Sequence, residues 1–210
     1  MRDMDEVTTI ERIHTAAKNE FLKKGYKSAA LRKIAEAAKV TTGALYGYYP
    51  DKISIFNSLV EKEAKTLTEW FRSTMKSFNN MPADVKVNQM HEYSEEKLLD
   101  MMDYIYDHYD AFKLIICCSE GTEYDGFIDV LADIEVEYSL EYFEYLYREG
   151  IMKKRVEKGY MHILENAYFS AIFETVVHDM TREDAKRYIL DLTRFFGAGW
   201  DSVMGQQPEK

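Results

Sequence analysis

Residues 31–52 read LRKIAEAAKVTTGALYGYYPDK, and this stretch decides how the rest of the chain is interpreted. Its first half places apolar residues at the i, i+3, i+4 and i+7 spacing of one buried helical face. These residues are Leu31, Ile34, Ala35 and Ala38. After Val40, the hydroxyl of Thr41 or Thr42 can cap the backbone N–H groups of a second helix, which Pro50 ends. The stretch therefore predicts two short helices joined by a tight turn, a helix-turn-helix.

The second of these helices has very little side-chain bulk on its leading face. Gly43, Ala44 and Gly47 leave the backbone bare, while Leu45 points back into a small core. A helix of this kind can bring its backbone close to a partner, as a helix in the major groove of DNA must. The pattern favours a DNA-binding role.

The same stretch resembles the N-terminal DNA-binding domain of TetR/AcrR-type transcriptional regulators, over roughly the first quarter of the chain. The residues that carry the resemblance are Gly25, Tyr26, Ile34, Ala35, Val40, Thr41, Gly43, Leu45, Tyr46, Tyr48, Tyr49 and Lys52. The resemblance implies that Tyr48 and Lys52 hold DNA phosphates and that Thr42, Ala44 and Gly47 face base edges. The full set of expected DNA-binding residues is Arg32, Lys39, Thr41, Thr42, Gly43, Ala44, Tyr46, Gly47, Tyr48 and Lys52.

Three positions depart from the family pattern. Ala29 and Ala30 stand where hydroxyl residues usually cap the first helix of the motif, which leaves Ser28 as the nearest substitute. Lys39 occupies a turn position that usually holds glycine, at a cost of about 1 kcal/mol if its φ is positive. Gly47 replaces what is often a larger base-reading side chain, so we expect fewer direct base contacts.

Composition and periodicity predict an all-α protein. The chain has 210 residues, of which 46% are apolar, and it has only three prolines and ten glycines. We expect about nine helices, with helical apolar spacing almost throughout and no period-2 strand signal. The predicted domains are a three-helix helix-turn-helix domain at 1–52, a larger helical effector-binding and dimerisation domain at 53–204, and a disordered tail at 205–210.

The expected helices have recognisable ends. Thr8 and Glu11 form a capping-box pattern for the first helix, which Gly25 is expected to end. A long connecting helix is expected from Asp51 to about residue 78, broken before Pro82. Further helices are expected at about 85–108, 111–120, 124–149, 156–179 and 182–204.

The net charge of −10 is unusual for a DNA-binding protein until it is divided along the sequence. Residues 10–52 hold nine Lys and Arg against four Asp and Glu, whereas residues 81–150 hold four against eighteen. A basic module on an acidic body can still bind phosphate locally through release of counterions.

The N-terminal sequence MRDMDEVTT has neither the basic start nor the apolar run of a signal peptide, so we expect a cytoplasmic protein without membrane contact. The adjacent Cys117 and Cys118 point about 100° apart on a helix, which disfavours a disulfide between them. Buried free thiols are the simpler expectation, against a redox or metal role.

Aromatic residues are concentrated in the acidic half of the chain, which contains many of the 16 tyrosines. They either fill a core or line an apolar pocket for a small organic effector. The candidate effector-binding residues are Trp70, Tyr104, Phe112, Glu120, Tyr124, Tyr142, Phe169 and Phe173. A buried Glu120 facing tyrosine rings would favour a cationic, lipophilic ligand.

The last two helices are the candidates for a homodimer interface, with internal packing as the alternative. The candidate residues are Leu164, Ala167, Ala171, Ile189, Phe196 and Gly199. A two-fold dimer would space two recognition helices by about 34–36 Å, one turn of DNA.

The sequence thus favours a sequence-specific transcriptional regulator, expected to repress from a palindromic double-stranded operator and to be released by a small-molecule effector. No catalytic constellation, metal-ligand spacing or phosphate loop is recognisable, so no enzyme activity, metal or cofactor is expected. Two alternatives remain: a regulator that needs a corepressor or no effector, and a helical ligand carrier or enzyme whose DNA-binding module has lapsed.

Overall fold

The computed structural model describes residues 8–204, and every regular element in that range is an α-helix, as the sequence predicted. The helices are α1 (Thr9–Ser28), α2 (Leu31–Ala37), α3 (Thr42–Tyr48), α4 (Lys52–Asn79), α5 (Ala83–Asp107), α6 (Tyr109–Cys118), α7 (Phe127–Arg148), α8 (Lys158–Val177) and α9 (Arg182–Met204). The predicted tail at 205–210 lies outside the described residues.

The chain divides into two compact units. Of the described residues, the first unit contains 8–65 and 108–125, and the second contains 66–107 and 126–204. The predicted division after residue 52 follows the end of the helix-turn-helix, whereas the first unit also takes in the start of α4 and all of α6. The reason is that α6 packs against α1.

Helix α1 begins with the predicted capping box. The Thr8 hydroxyl accepts the Glu11 N–H at 3.2 Å, and the Glu11 carboxylate accepts the Thr8 N–H at 2.6 Å. The prediction that Gly25 ends this helix is wrong, because Gly25 takes φ = +70° and produces a kink after which the helix continues to Ser28. The added turn brings Tyr26 under the start of α4.

An aromatic cluster forms much of the core of the first unit. The Phe56 ring of α4 lies 5.2 Å from Phe21, 5.3 Å from Tyr26 and 6.0 Å from Tyr124 between ring centroids. On the surface of the same unit, Lys18 pairs with Asp110 at 2.6 Å, which ties α1 to α6. Segment 108–125 is thus part of the first unit.

In the second unit, α7 packs against α8, and α5 packs against α9. Helix α7 is apolar on two sides, as predicted for a helix in the middle of a bundle. Its buried residues are Phe127, Leu131, Ala132, Ile134, Val136, Tyr142, Phe143 and Leu146. Thr181 caps α9 by accepting the Asp184 N–H at 3.1 Å, which confirms the predicted cap.

None of the helices in residues 8–204 combines the length and the apolar character needed to cross a lipid bilayer. The two cysteines differ: Cys118 is buried and Cys117 is exposed, so the expectation of two buried thiols is wrong for Cys117. Burial raises the pKa of the Cys118 thiol.

Candidate DNA-binding surface and ligand cavity

Helices α2 and α3 form the predicted helix-turn-helix. Ile34 and Ala35 of α2 and Leu45 of α3 are buried together in its small core. Thr41 caps α3, because its hydroxyl accepts the Ala44 N–H at 3.0 Å. The turn between the helices is closed by the Val40 N–H, which donates to the Ala35 carbonyl at 3.0 Å. A few contacts within residues 34–45 therefore fix the orientation of α3 relative to α2.

Lys39 in this turn has φ = +57°, a conformation that usually favours glycine. The structure thus keeps the backbone of the turn even though a lysine occupies it. The Lys39 side chain is exposed and adds a positive charge to the motif, next to α3.

Helix α2 begins without a side-chain cap. Ala30 is its N-cap residue, and its side chain cannot accept the free N–H groups of the first turn. The expectation that Ser28 takes over this function is wrong, since Ser28 belongs to the last turn of α1. Among the described residues, Glu20 supports this end, because its carboxylate accepts the Ala30 N–H at 3.3 Å.

One face of α3 is open to solvent and carries the expected contact residues. Thr42, Gly43, Ala44 and Gly47 are exposed. Tyr46 and Tyr48 are 51% and 48% exposed to solvent, although both have large aromatic side chains. Two exposed tyrosines beside a bare helix backbone provide hydroxyl donors for phosphate and an unobstructed approach for base edges.

Gly47 in particular is not required by the fold. A Cβ built at this position meets no atom within 4 Å. A glycine inside a helix costs about 1 kcal/mol relative to alanine, so its presence on the exposed face has no structural benefit here.

Lys52 has a role that sequence reasoning did not predict. Its ammonium group donates to the carbonyl oxygens of Tyr26 at 2.7 Å, Lys27 at 3.1 Å and Ala29 at 3.2 Å. It also lies 4.6 Å from the centre of the Tyr26 ring. All three N–H donors are thus used at the carboxyl end of α1, so Lys52 contributes positive charge but holds no donor ready for phosphate in this conformation.

A second connection that the sequence did not indicate centres on His14. Its Nε2 atom lies 2.6 Å from the Tyr49 hydroxyl and 3.2 Å from the Ser58 hydroxyl. Burial lowers the pKa of His14, which favours the neutral ring. His14 therefore ties α1 to the end of α3 and to the first part of α4.

The second unit contains a cavity of about 160 Å³. Its walls come from α4, α5, α7, α8 and α9, and most of them are apolar. Ten aromatic side chains line it: Trp70, Phe71, Phe78, Tyr93, Tyr142, Phe143, Tyr168, Phe169, Phe196 and Trp200. Cavities of this kind are the usual binding sites of small organic ligands.

Two carboxylates lie in this aromatic wall, Glu135 of α7 and Glu165 of α8. Glu165 is only 6% exposed to solvent. Burial, together with the neighbouring Glu135, raises the pKa of Glu165 well above its usual range. Burial also raises the pKa of Glu135 to about 7, although a hydrogen bond from the Ser139 hydroxyl at 2.9 Å opposes the shift.

The burial of Glu165 could have been predicted from the sequence. Met161, Glu165 and Phe169 follow one another at i, i+4 spacing, and all three are buried. An acidic residue in the middle of an apolar helical stripe must be buried with it, and a buried carboxylate is an unusual feature.

Residues 13–59 match the family model of the bacterial regulatory proteins of the tetR family. These residues are thus similar to the tetR family, over less than half of the chain. The matched range contains α2, α3 and most of α1. The family resemblance of the sequence is thereby confirmed.

Curated relatives and solved structures are also similar to parts or all of this chain. The nucleoid occlusion factor SlmA of Actinobacillus pleuropneumoniae serotype 5b is 32% identical over 62 residues, which are 30% of this chain and 31% of the relative. The chain therefore spans about a third of the length of the curated relatives it matches. A TetR-like transcriptional regulator from Rhodococcus sp. RHA1 shares the fold over 94% of this chain and 100% of its own, with a TM-score of 0.55 and 14% identity. A TerR/AcrR-family regulator from Aquifex aeolicus VF5 does so over 90% and 99%, with a TM-score of 0.54 and 16% identity.

The structure separates the predicted effector-binding residues into groups. Trp70, Tyr142 and Phe169 line the cavity. Tyr104 and Phe173 belong to the second unit but do not line it, and Phe112, Glu120 and Tyr124 belong to the first unit.

Glu120 is the clearest correction. Its side chain is 70% exposed and pairs with Lys27 at 2.7 Å, so the expectation of a buried carboxylate at this position is wrong. The reason is that segment 108–125 packs on α1 of the TetR-type domain. Glu165 has the buried position that was expected for Glu120, and the partly buried Glu135 lines the same cavity.

The predicted dimer residues also differ in accessibility. Ile189 is 1% exposed within the single chain, so a second copy cannot reach it. Phe196 lines the cavity, Leu164 and Ala171 are partly buried, and Ala167 and Gly199 are exposed. The most exposed large apolar residues on these helices are Ile163 at 66% and Phe195 at 74%, and the sequence stripes did not identify them.

Proposed function

We propose that this protein is a sequence-specific DNA-binding transcriptional regulator that acts in the cytoplasm. It occupies an inverted-repeat operator as a homodimer, and it releases the operator when a small organic molecule binds in the cavity of the second unit. The observation that carries the proposal is the exposed face of α3, where Gly47 and Ala44 leave the backbone bare between Tyr46 and Tyr48.

The charge distribution supports DNA binding by this face. Residues 10–52 have an excess of five positive charges, from nine Lys and Arg against four Asp and Glu, in a chain whose net charge is −10. Attraction to phosphate is therefore confined to the TetR-type domain. The acidic second unit disfavours DNA binding elsewhere on the molecule.

The departures from the family pattern leave the motif intact, which favours a working module over a lapsed one. Lys39 adopts the required positive φ, and Glu20 provides an acceptor for Ala30 at the uncapped end of α2. In the proposed complex Tyr48 contacts phosphate and Thr42, Ala44 and Gly47 face the bases. Lys52 acts mainly by holding the end of α1.

Dimerisation follows from the short length of the recognition helix. A helix of seven residues reads few base pairs, so specificity requires two copies spaced by about 34–36 Å on the DNA. Exposed Ile163 and Phe195 provide apolar side chains on α8 and α9 for such an interface. We propose that these two residues, with Ala167 and Gly199, form its centre.

Release by an effector is a shift between two conformations of the dimer. The ligand must prefer the conformation that does not bind DNA, and a change from mostly bound to mostly free needs about 5.5 kcal/mol of differential affinity. Helix α4 contributes to both units, so the backbone itself connects the cavity wall at Trp70 with the DNA-binding unit.

Selection of genomic fragments tests the DNA-binding proposal. Purified protein is mixed with sheared genomic DNA, and the bound fragments are sequenced. We expect one or a few inverted repeats to be enriched. Gly47→Glu should abolish the enrichment while leaving the thermal stability unchanged or higher, because position 47 has room for a side chain and glutamate is a good helix former.

Ser73→Glu is the matched control. Ser73 is an exposed residue of α4 in the second unit, and it lies on neither of the helices proposed for the dimer interface. This variant adds the same charge far from α3 in sequence and should enrich the same fragments as the natural protein. Equal enrichment by both variants would contradict the assignment of α3 as the recognition helix.

A further inference from the structure

We propose that the cavity of the second unit binds an organic amine in its protonated form, with the ammonium group held by Glu165 and Glu135 and the apolar body held by the aromatic wall. The inference rests on the proposed function, in which this cavity takes the effector. It names the chemical class of that effector and the two residues that select it.

Glu165 is the central observation. It is more than nine-tenths buried, it lines the cavity, and no described residue gives its carboxylate a hydrogen bond or an ion pair. An unpaired buried carboxylate is costly, so it is normally compensated by a partner or by protonation. A ligand that carries N–H donors and a positive charge would supply the missing partner.

Glu135 lies in the same wall and has one hydrogen bond, from Ser139. The two carboxylates interact electrostatically, since each disfavours the charge of the other. A cation between them removes this repulsion, whereas an anion would increase it. The geometry therefore discriminates between ligands by charge.

The aromatic wall favours the same class of ligand. Rings of Trp70, Tyr142 and Tyr168 lie in the same cavity as the carboxylates, and aromatic faces attract cations most strongly where water is excluded. A cavity of about 150 Å³ is known to accept a single benzene-sized ring, so a volume of about 160 Å³ accommodates a one-ring amine.

The positive groups at the cavity are already paired. Lys97 lies 2.7 Å from Glu96 and 2.9 Å from Asp100, and His91 lies 3.6 Å from Asp201. Glu95, which adds negative charge near Tyr168, pairs with Arg194 at 3.5 Å. The remaining titratable lining residues are Tyr93, Tyr142 and Tyr168, and the lining residues from α4 and α9 are uncharged.

Binding of the ammonium group releases protons. In the empty protein burial raises the pKa of Glu135 to about 7 and that of Glu165 well above its ordinary value, so the pair retains protons to a higher pH than ordinary carboxylates do. The bound cation stabilises the ionised carboxylates and lowers both pKa values. Affinity for the amine should therefore rise as the pH rises from 6 to 8.

Three probes of matched shape test the proposal: 2-phenylethylamine, 2-phenylethanol and 3-phenylpropanoate, which are cationic, neutral and anionic at pH 7.5. Isothermal titration calorimetry should give a Kd for the amine that is lower than that for the alcohol by about tenfold or more. At pH 7 the heat should differ between phosphate and Tris buffers, because protons are released to the buffer on binding.

Variants identify the residues responsible. Glu165→Gln and Glu135→Gln should each reduce the preference for the amine and the buffer-dependent heat, while the circular dichroism spectrum shows that each variant is folded. Glu141→Gln is the matched control, because Glu141 is an exposed residue of α7 that does not line the cavity. It should bind the amine like the natural protein.

The proposal is overturned if the alcohol or the propanoate binds as tightly as the amine, if none of the three binds at millimolar concentration, or if both Gln variants retain the preference. DNA binding of the ligand-free protein is measured separately. If DNA binding persists while the amine fails to bind, the inference fails and the proposed DNA-binding function stands. If the amine binds as described but does not weaken the DNA complex, the cation site stands and the effector role fails.

Discussion

At the scale of the residue, Lys39 combines an unfavourable backbone conformation with a positive charge beside α3. Its φ of +57° is unfavourable for a residue with a side chain, yet the turn it occupies sets the position of α3. We expect Lys39→Gly to raise the free energy of unfolding by about 1 kcal/mol, measured by urea denaturation.

The same substitution should weaken DNA binding and reduce the slope of log K against log salt by about 1, because one phosphate contact is lost. Lys39→Ala separates the two effects, since it removes the charge but keeps the backbone strain. A Lys39→Gly protein that is less stable than the natural one would contradict the strained turn.

Lys52 offers a second prediction at this scale. Its ammonium group donates to three carbonyls at the end of α1, two of which belong to Tyr26 and Ala29. Lys52→Met keeps most of the apolar stem but leaves these carbonyls without the charged donor. The free energy of unfolding should fall by about 1–2 kcal/mol.

Lys24→Met is the control for this experiment, because Lys24 is an exposed cation of the same domain. It should leave stability within about 0.5 kcal/mol of the natural protein. Equal stabilities of the two variants would show that the contacts of Lys52 contribute nothing.

The sequence predicted helix capping by short polar side chains best. Thr8, Thr41 and Asp51 cap the helices that follow them, because a cap acts within three residues of its own position. The contacts of Lys52 and Glu120 and the burial of Glu165 were not predicted. The partners of Lys52 and Glu120 are distant in sequence, and the burial of Glu165 depends on several helices at once.

At the scale of the element, the uncapped start of α2 can be improved. Ala30 has the extended backbone of an N-cap residue, with φ = −113° and ψ = 120°, but no side-chain acceptor. Ala30→Ser should raise the free energy of unfolding by about 1 kcal/mol, because its hydroxyl can accept an N–H group of the first turn. Chemical denaturation measures the change.

Ala37→Ser provides the comparison within the same helix. Position 37 is the exposed end of α2, where serine has lower helix propensity than alanine and no N–H group to cap. It should be neutral or slightly destabilising. If both serine variants had the same stability, the missing cap would have no energetic importance.

Helix boundaries followed closely from sequence, but the packing of helices did not. The expected limits of α4 and α9 agree with the structure to within a residue, since Asp51 and Thr181 give strong start signals. The position of α6 against α1 was not predicted. Amphipathic periodicity shows that a helix has a buried face but does not identify the helix it packs against.

At the scale of the whole molecule, the carboxylate pair couples stability to pH. The pKa values of Glu135 and Glu165 are raised in the folded protein, to about 7 for Glu135 against a reference of 4.5. The folded state therefore binds protons more strongly than the unfolded state, and the stability provided by protonation is lost as the pH rises from about 4.5 through 7.

The double variant Glu135→Gln with Glu165→Gln should abolish this contribution. Its melting temperature should exceed that of the natural protein at pH 8 and approach it at pH 5, because the neutral amides do not ionise. Glu141→Gln should follow the natural protein at both values. A constant difference between the double variant and the natural protein across this range would contradict a titrating pair.

The features of the molecule that depend on charge and helical periodicity were predictable from the sequence. The residues that line the cavity were not. The basic segment at 10–52 and the bare face at Gly47 pointed to the proposed DNA-binding surface. The aromatic residues pointed to a cavity without identifying its wall, because side chains from five helices meet there.

The central claim is that two copies of this chain read one inverted repeat through α3. Fluorescence anisotropy with the repeat recovered from genomic selection, at about 0.15 M salt with nonspecific competitor DNA, tests it most directly. We expect saturable binding with a Kd of about 10 nM or lower and a stoichiometry of two protomers per repeat. Weak binding of equal strength to the repeat and to scrambled DNA, or saturation at one protomer per repeat, would contradict the claim.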